Sequence, residues 1–305
     1  MEPCRADRAV AGPWTRWLPL LAFALFVTGF LAAERYVRHI DAADRFAGIP
    51  QFDLWAVLIG ALVGLALSSG LYYVVWLTGV ARLCEGARVR TVLGWTAVAL
   101  LVLATPFVVL FLGTDAAAPS LDRTVARQTR PITLVAGLFQ LPGLVAFLGL
   151  RQVATTTALW TESGQCTLRL VLRLRAELRR LLATLGAFLT LLVIATGMRR
   201  RAFVALDPST SIPPESVLLY GLVFAVLLGA FYVVAASAID ARSDLLLDQY
   251  APLPDLAAED FPDRVGRRDA LAGVIGSGGS WHTFQTTVVI AAPLLTALIG
   301  SALGS

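Results

Sequence analysis

Long apolar runs alternate with short polar segments along almost the whole chain. Seven runs reach or approach the roughly 20 residues that a helix needs to cross a hydrocarbon core of about 30 Å. They are 17–33, 54–80, 92–113, 132–150, 182–198, 216–238 and 281–304. None contains Asp, Glu or Arg, and a charge at mid-bilayer costs at least about 2.5–3.5 kcal/mol. The pattern predicts an all-α, polytopic integral membrane helix bundle of six or seven transmembrane helices, with residues 1–305 forming one membrane domain. The fifth run is short. The seventh carries Pro293, so it either spans or dips in and returns. The first run follows a basic leader, as a signal peptide would, but Phe30-Leu31-Ala32-Ala33 matches a small-residue cleavage site poorly, so an uncleaved signal anchor is expected.

Composition agrees with the pattern. Of 305 residues, 57% are hydrophobic and 15% charged, against about 45–50% and about 25% in soluble chains. All 25 basic residues are Arg, since the chain has neither Lys nor Asn. That excludes a P-loop lysine, a Schiff-base lysine and a Ser–Lys dyad, and it suggests a GC-rich bacterial genome. Two His and three Cys do not make a zinc site with any redundancy. His39 lies outside the runs with Asp41 and His282 at the start of the last one, which argues against bis-His haem ligation. No cofactor is expected.

The arginines orient the chain. With the N-terminus inside, the cytoplasmic segments hold 16 Arg and the external ones 9, which favours a cytoplasmic N-terminus in a bacterial plasma (inner) membrane. The run Arg199-Arg200-Arg201 disagrees, because it falls outside, and only interface snorkelling accounts for it. Cys4, Cys84 and Cys166 all fall on the cytoplasmic side, where thiols stay reduced and none needs a partner.

Two cytoplasmic regions are long enough for structure of their own. Region 151–181 contains a basic amphipathic helix. At about 100° per residue, Leu170, Val171, Leu174, Leu178, Leu181 and Leu182 share one arc, and Leu172 is the misfit. Arg169, Arg173 and Arg180 gather opposite, with Glu177 near them, and Arg175 and Arg179 form a second basic stripe. These five arginines are the candidates for contact with anionic lipid head groups or a partner. A helix that runs straight into 182–198 would exceed the bilayer thickness, so it either projects or bends near Gly186 and lies on the surface. Region 239–280 is an acidic linker. It continues the sixth helix, breaks at Pro252 and Pro254, and holds a short helix over 263–275 ahead of a glycine turn at 276–279.

Small residues repeat every four positions at Gly60, Gly64 and Ser68, at Gly221, Ala225 and Gly229, and at Gly300 and Gly304. Such faces let helices approach closely, either within one bundle or at an oligomer seam. Ser68, Ser69 and Tyr72 in the second run and Gln140 in the fourth are polar groups at membrane depth, where each needs a partner or a wet cavity. They bond within the bundle or line a pore or cavity. Pro142 should kink its helix. Asp240, Asp244 and Asp248 share one helix face. They are either weak Mg²⁺ candidates of the kind a lipid or prenyl transferase uses, or a face paired with Arg169, Arg173 or Arg180. A second acidic cluster on the same side is missing, since Asp41 and Asp44 fall outside.

These features point to a non-enzymatic integral membrane protein: a subunit, or an oligomeric channel or scaffold, whose cytoplasmic helices contact partners. The partners expected are the lipid bilayer and either further copies or other membrane subunits, with no nucleic acid. An uncoupled small-solute transporter or pore is the alternative, because no run holds the carboxylate that ion coupling usually needs. A Mg²⁺-dependent membrane transferase is the second alternative.

Overall fold

A computed structural model describes residues 17–83, 120–156, 160, 164–207, 214–252, 261–275 and 280–302. Among these residues the chain is all-α, with seven helices, one 3-10 turn and no strand. The helices are α1 (Leu18–Arg38), α2 (Pro50–Leu83), α3 (Ser120–Thr155), α4 (Gly164–Leu206), α5 (Pro214–Tyr250), α6 (Phe261–Ile275) and α7 (Ser280–Ala302). The 3-10 turn, Ala43–Phe46, sits between α1 and α2. The helices α1 to α5 are each long and apolar enough to cross a membrane, whereas the apolar part of α7 is the shorter Thr286–Leu298.

Local chemistry sets several boundaries. Arg35 and Arg38 fill the last turn of α1, where positive charge opposes the helix dipole favourably. Gly48 then adopts φ +82°, a left-handed conformation that a side chain disfavours. It turns the chain into Pro50, whose fixed φ suits a helix start. The α3 helix runs on through Pro131 and Pro142, and α7 through Pro293.

Facing residues give the directions. Gly64 packs on Phe26 and Gly60 on Phe30, so α1 and α2 are antiparallel. Ser69 meets Gln140, Tyr73 meets Gly143 and Trp76 meets Gly149, so α2 and α3 are parallel. The residues that join them, 84–119, are not among the described ones. The run 92–113, expected to cross there, lies outside the described residues, as do the leader with Cys4, Cys84 and the glycine turn 276–279. The α4 helix is antiparallel to α2, since Tyr72 meets Glu177 near one end and Phe46, just ahead of α2, meets Phe203 near the other. The α5 helix is antiparallel to α4, and α7 is antiparallel to α5.

Most of the interior is apolar. Tyr73, Trp76, Phe147, Leu150, Leu178, Leu185 and Leu228 join α2, α3, α4 and α5 in the main core. At one end Phe46 stacks on Phe52 at 4.7 Å and meets Phe203 edge-on at 5.2 Å, which secures the far end of α4. This shows that Arg199-Arg200-Arg201 lie within the helix and not at its end. The helix does not stop at the apolar run but continues to Leu206, and Ala202 and Phe203 are buried while Arg199 lies 5.7 Å over the Phe203 ring.

The α4 helix takes the projecting form of the two expected. It is one unbroken helix of 43 residues, about 64 Å long at about 1.5 Å per residue. It does not bend at Gly186 to lie on a surface. Its amphipathic face is buried in the protein instead: Leu170, Leu174, Leu178, Leu181 and Leu182 enter the main core. Val171 packs with Leu246, Leu247 and Ile275. Leu172, the misfit, is exposed.

On the outside, Leu20, Phe23, Leu138, Val226, Val233 and Leu295 are exposed. A water-soluble monomer rarely shows so much contiguous apolar surface, and on helices of this length a lipid environment accounts for it. Hydroxyls on the same helices bond back to their own carbonyls, Thr28 to Ala24 at 2.7 Å and Thr196 to Leu192 at 2.8 Å, so they cross lipid satisfied.

Candidate functional site

The polar groups inside the bundle meet where α2, α3 and α4 converge. Glycines make the approach possible. A Cβ on Gly70 would lie 2.7 Å from the Phe139 carbonyl oxygen, and one on Gly143 would lie 2.6 Å from the Tyr73 ring. At that spacing the Gln140 Nε2–H donates to Ser69 Oγ at 2.7 Å, and Ser69 Oγ–H donates to the Leu65 carbonyl at 2.5 Å. Gln140 Oε1 and the Tyr73 hydroxyl, both buried, have no hydrogen-bond partner. The hydroxyls of Ser69 and Thr184 face Tyr73, but neither makes a bond of ordinary geometry to it. Thr184 spends its proton on the Arg180 carbonyl at 2.8 Å.

One turn nearer the end of the bundle lies a charged cluster. The Tyr72 hydroxyl donates to Glu177 Oε2 and accepts from Arg180 Nη1 at 2.9 Å. The Arg180 guanidinium lies 3.2 Å from Glu177 Oε1 and sits 5.6 Å over the Tyr72 ring. The Glu177 side chain is only 12% exposed, so its charge is tolerated because two donors meet it.

Of the four pore or cavity candidates, Ser69 and Gln140 are brought together. Ser68 bonds its own helix, to Leu65 O at 3.1 Å, and Tyr72 is drawn to α4. Glu177 is a functional candidate that the sequence reading passed over. Its signal was present, as a single acid amid the arginines of α4, but its partner Tyr72 lies 105 positions away.

Beyond the apolar runs, α4, α5 and α6 form a second polar region. Arg175, not Arg180, reaches the acidic face: its Nη2 lies 2.7 Å from Asp240 and 3.1 Å from Ser243 Oγ. Arg180 serves Glu177 and Tyr72 instead. The helix geometry explains the difference. Arg175 is four residues from Val171 and three from Leu178, on the edge that faces α5, whereas Arg180 lies on the Glu177 and Thr184 edge that faces α2. Arg268 of α6 bonds Asp248 at 2.8 Å and the Ala251 carbonyl at 2.8 Å. Arg242 bonds the Ala154 carbonyl at 2.9 Å and lies 5.2 Å over the Trp160 ring. These last two arginines donate to carbonyls at the C-terminal ends of α3 and α5, where helix carbonyls lack an intrahelical partner. Arg169, Arg179 and Asp244 are exposed there.

Asp240 and Asp248 are thus engaged by arginines of two different helices. Among the described residues no group of three His, Cys, Asp or Glu side chains is arranged to hold a metal ion. Cys166, at this same end, is disulfide-bonded, which overturns the expectation of a free thiol.

The glycine faces are filled by the chain itself. A Cβ on Gly60 would lie 2.8 Å from Phe30 O, on Gly64 2.6 Å from Phe26 O, and on Gly221 2.8 Å from Pro293 O; Gly229 faces Ile290. They are packing faces for α1 and α7. Gly300 lies in the last turn of α7, and Gly304 is outside the described residues.

Fold and site together define an all-α membrane bundle with a polar seam inside and an arginine-tied helical extension at one end. No protein-family model, no curated protein and no solved structure matches the chain.

Proposed function

We propose that the protein is a non-enzymatic membrane subunit whose extended end is a docking platform for a partner. The observation that carries this reading is the continuation of α4 and α5 past their apolar runs as one packed unit with α6. The unit has its own small core, Val171, Leu246, Leu247 and Ile275. Three arginines tie it, through Asp240, Asp248 and the Ala154 and Ala251 carbonyls. A solvated linker would need none of this order. Leu172, Leu245 and Val274 remain exposed on it, outside the runs that lipid would cover.

The arginine ratio supports a cytoplasmic side for the platform in a bacterial cell. The disulfide at Cys166 argues for the opposite, oxidising side. Labelling from outside intact cells decides between them. The platform reading itself is tested by the native mass of the protein extracted from its membrane in mild detergent. A mixed assembly is expected, and Leu245→Glu should release the second chain without unfolding the bundle. A bare monomer from native membranes contradicts the reading, and a homo-oligomer supports the channel alternative.

A further inference from the structure

Tyr73 Oη and Gln140 Oε1 are two buried polar atoms without a hydrogen-bond partner. Tyr73 is 1% exposed and Gln140 5%. Buried polar atoms almost always have a partner, so two at one seam call for an occupant. The hydrogen-bond inventory says what kind. Gln140 has used an Nε2 proton on Ser69, and Ser69 has used its proton on Leu65. What remains is an acceptor on Gln140 and a donor–acceptor hydroxyl on Tyr73. Ser69 is the common neighbour of both, bonded to Gln140 and facing Tyr73. None of Ser69, Tyr73, Gln140 and Thr184 carries a formal charge, so the occupant is neutral. It must accept from a phenol and donate to an amide carbonyl.

We propose that the α2–α3–α4 seam is a hydration site in which an ordered water accepts from Tyr73 and donates to Gln140. Water suits the inventory, with two donors and two acceptors in the smallest volume, and Thr184 supplies a further contact. The site is independent of the platform, which lies on another part of α4.

The test is solid-state NMR on the full chain in lipid bilayers, following magnetisation from water protons to nitrogen. The Gln140 side-chain amide is assigned by its loss in Gln140→Leu. Transfer to it is expected at least threefold faster than to the backbone amide of Phe147, a fully buried core residue. Tyr73→Phe is expected to slow that transfer and to lower the melting temperature, because the water loses a partner. Transfer no faster than at Phe147 overturns the proposal. So does a rise in melting temperature on Tyr73→Phe, which is the signature of deleting a dry, unsatisfied hydroxyl.

Discussion

Gly70 and Gly143 set how closely α2 and α3 approach, and with it whether Ser69 and Gln140 meet. The obstacle at Gly70 is a backbone oxygen, which no rotamer change moves aside. Gly70→Ala is therefore expected to destabilise the protein by about 1–3 kcal/mol through overpacking. Gly137, on α3, has open space where its Cβ would go, so Gly137→Ala should be neutral or stabilise by up to about 1 kcal/mol. Thermal melting in one detergent checks both. Arg175 and Asp240 behave differently. Asp240 is 61% exposed and Arg175 only 12%. Asp240→Asn is expected to cost less than about 1 kcal/mol, while Arg175→Ala costs more because the buried stem of the side chain is lost as well. A double-mutant cycle separates the two contributions. The sequence placed Arg175 and Asp240 each on a helix face but did not pair them. The choice between two basic stripes depends on which edge of α4 meets α5, and that is fixed by contacts far apart in the chain.

Helix α4 shows which parts of an element are written locally. Its apolar arc was legible from spacing alone, because a period near 3.6 survives any arrangement of neighbours. Where that arc goes was not, since lipid and another helix both accept an apolar face. Its far end was hidden for a plainer reason: three arginines in a row look like a boundary, yet Phe203 beyond them is buried against Phe46. Phe203→Ala should accordingly cost about 3–5 kcal/mol, measured by equilibrium unfolding. Leu172→Ser, at an exposed position on the same helix, should stay within about 0.5 kcal/mol. The glycine faces make the same point. Spacing identified the faces, and only the fold assigned them to α1 and α7.

For the molecule as a whole, apolar runs and missing charges sufficed to read a membrane bundle, because the bilayer imposes its length on every crossing helix. The interior chemistry was less legible. Tyr72 and Glu177 come from α2 and α4, Ser69 and Gln140 from α2 and α3, and their meeting depends on how those helices are directed. That relation follows from the path of the chain, not from any one segment. The central claim is that α4 crosses the membrane as one unbroken helix and places its two ends on opposite sides. Single cysteines at Arg169 and Ala205, in a chain whose three native cysteines are changed to Ser, test it directly. With a membrane-impermeant thiol reagent on intact cells, one of the two positions should be labelled and the other only after the membrane is broken. Labelling of both from outside intact cells would contradict a crossing between them.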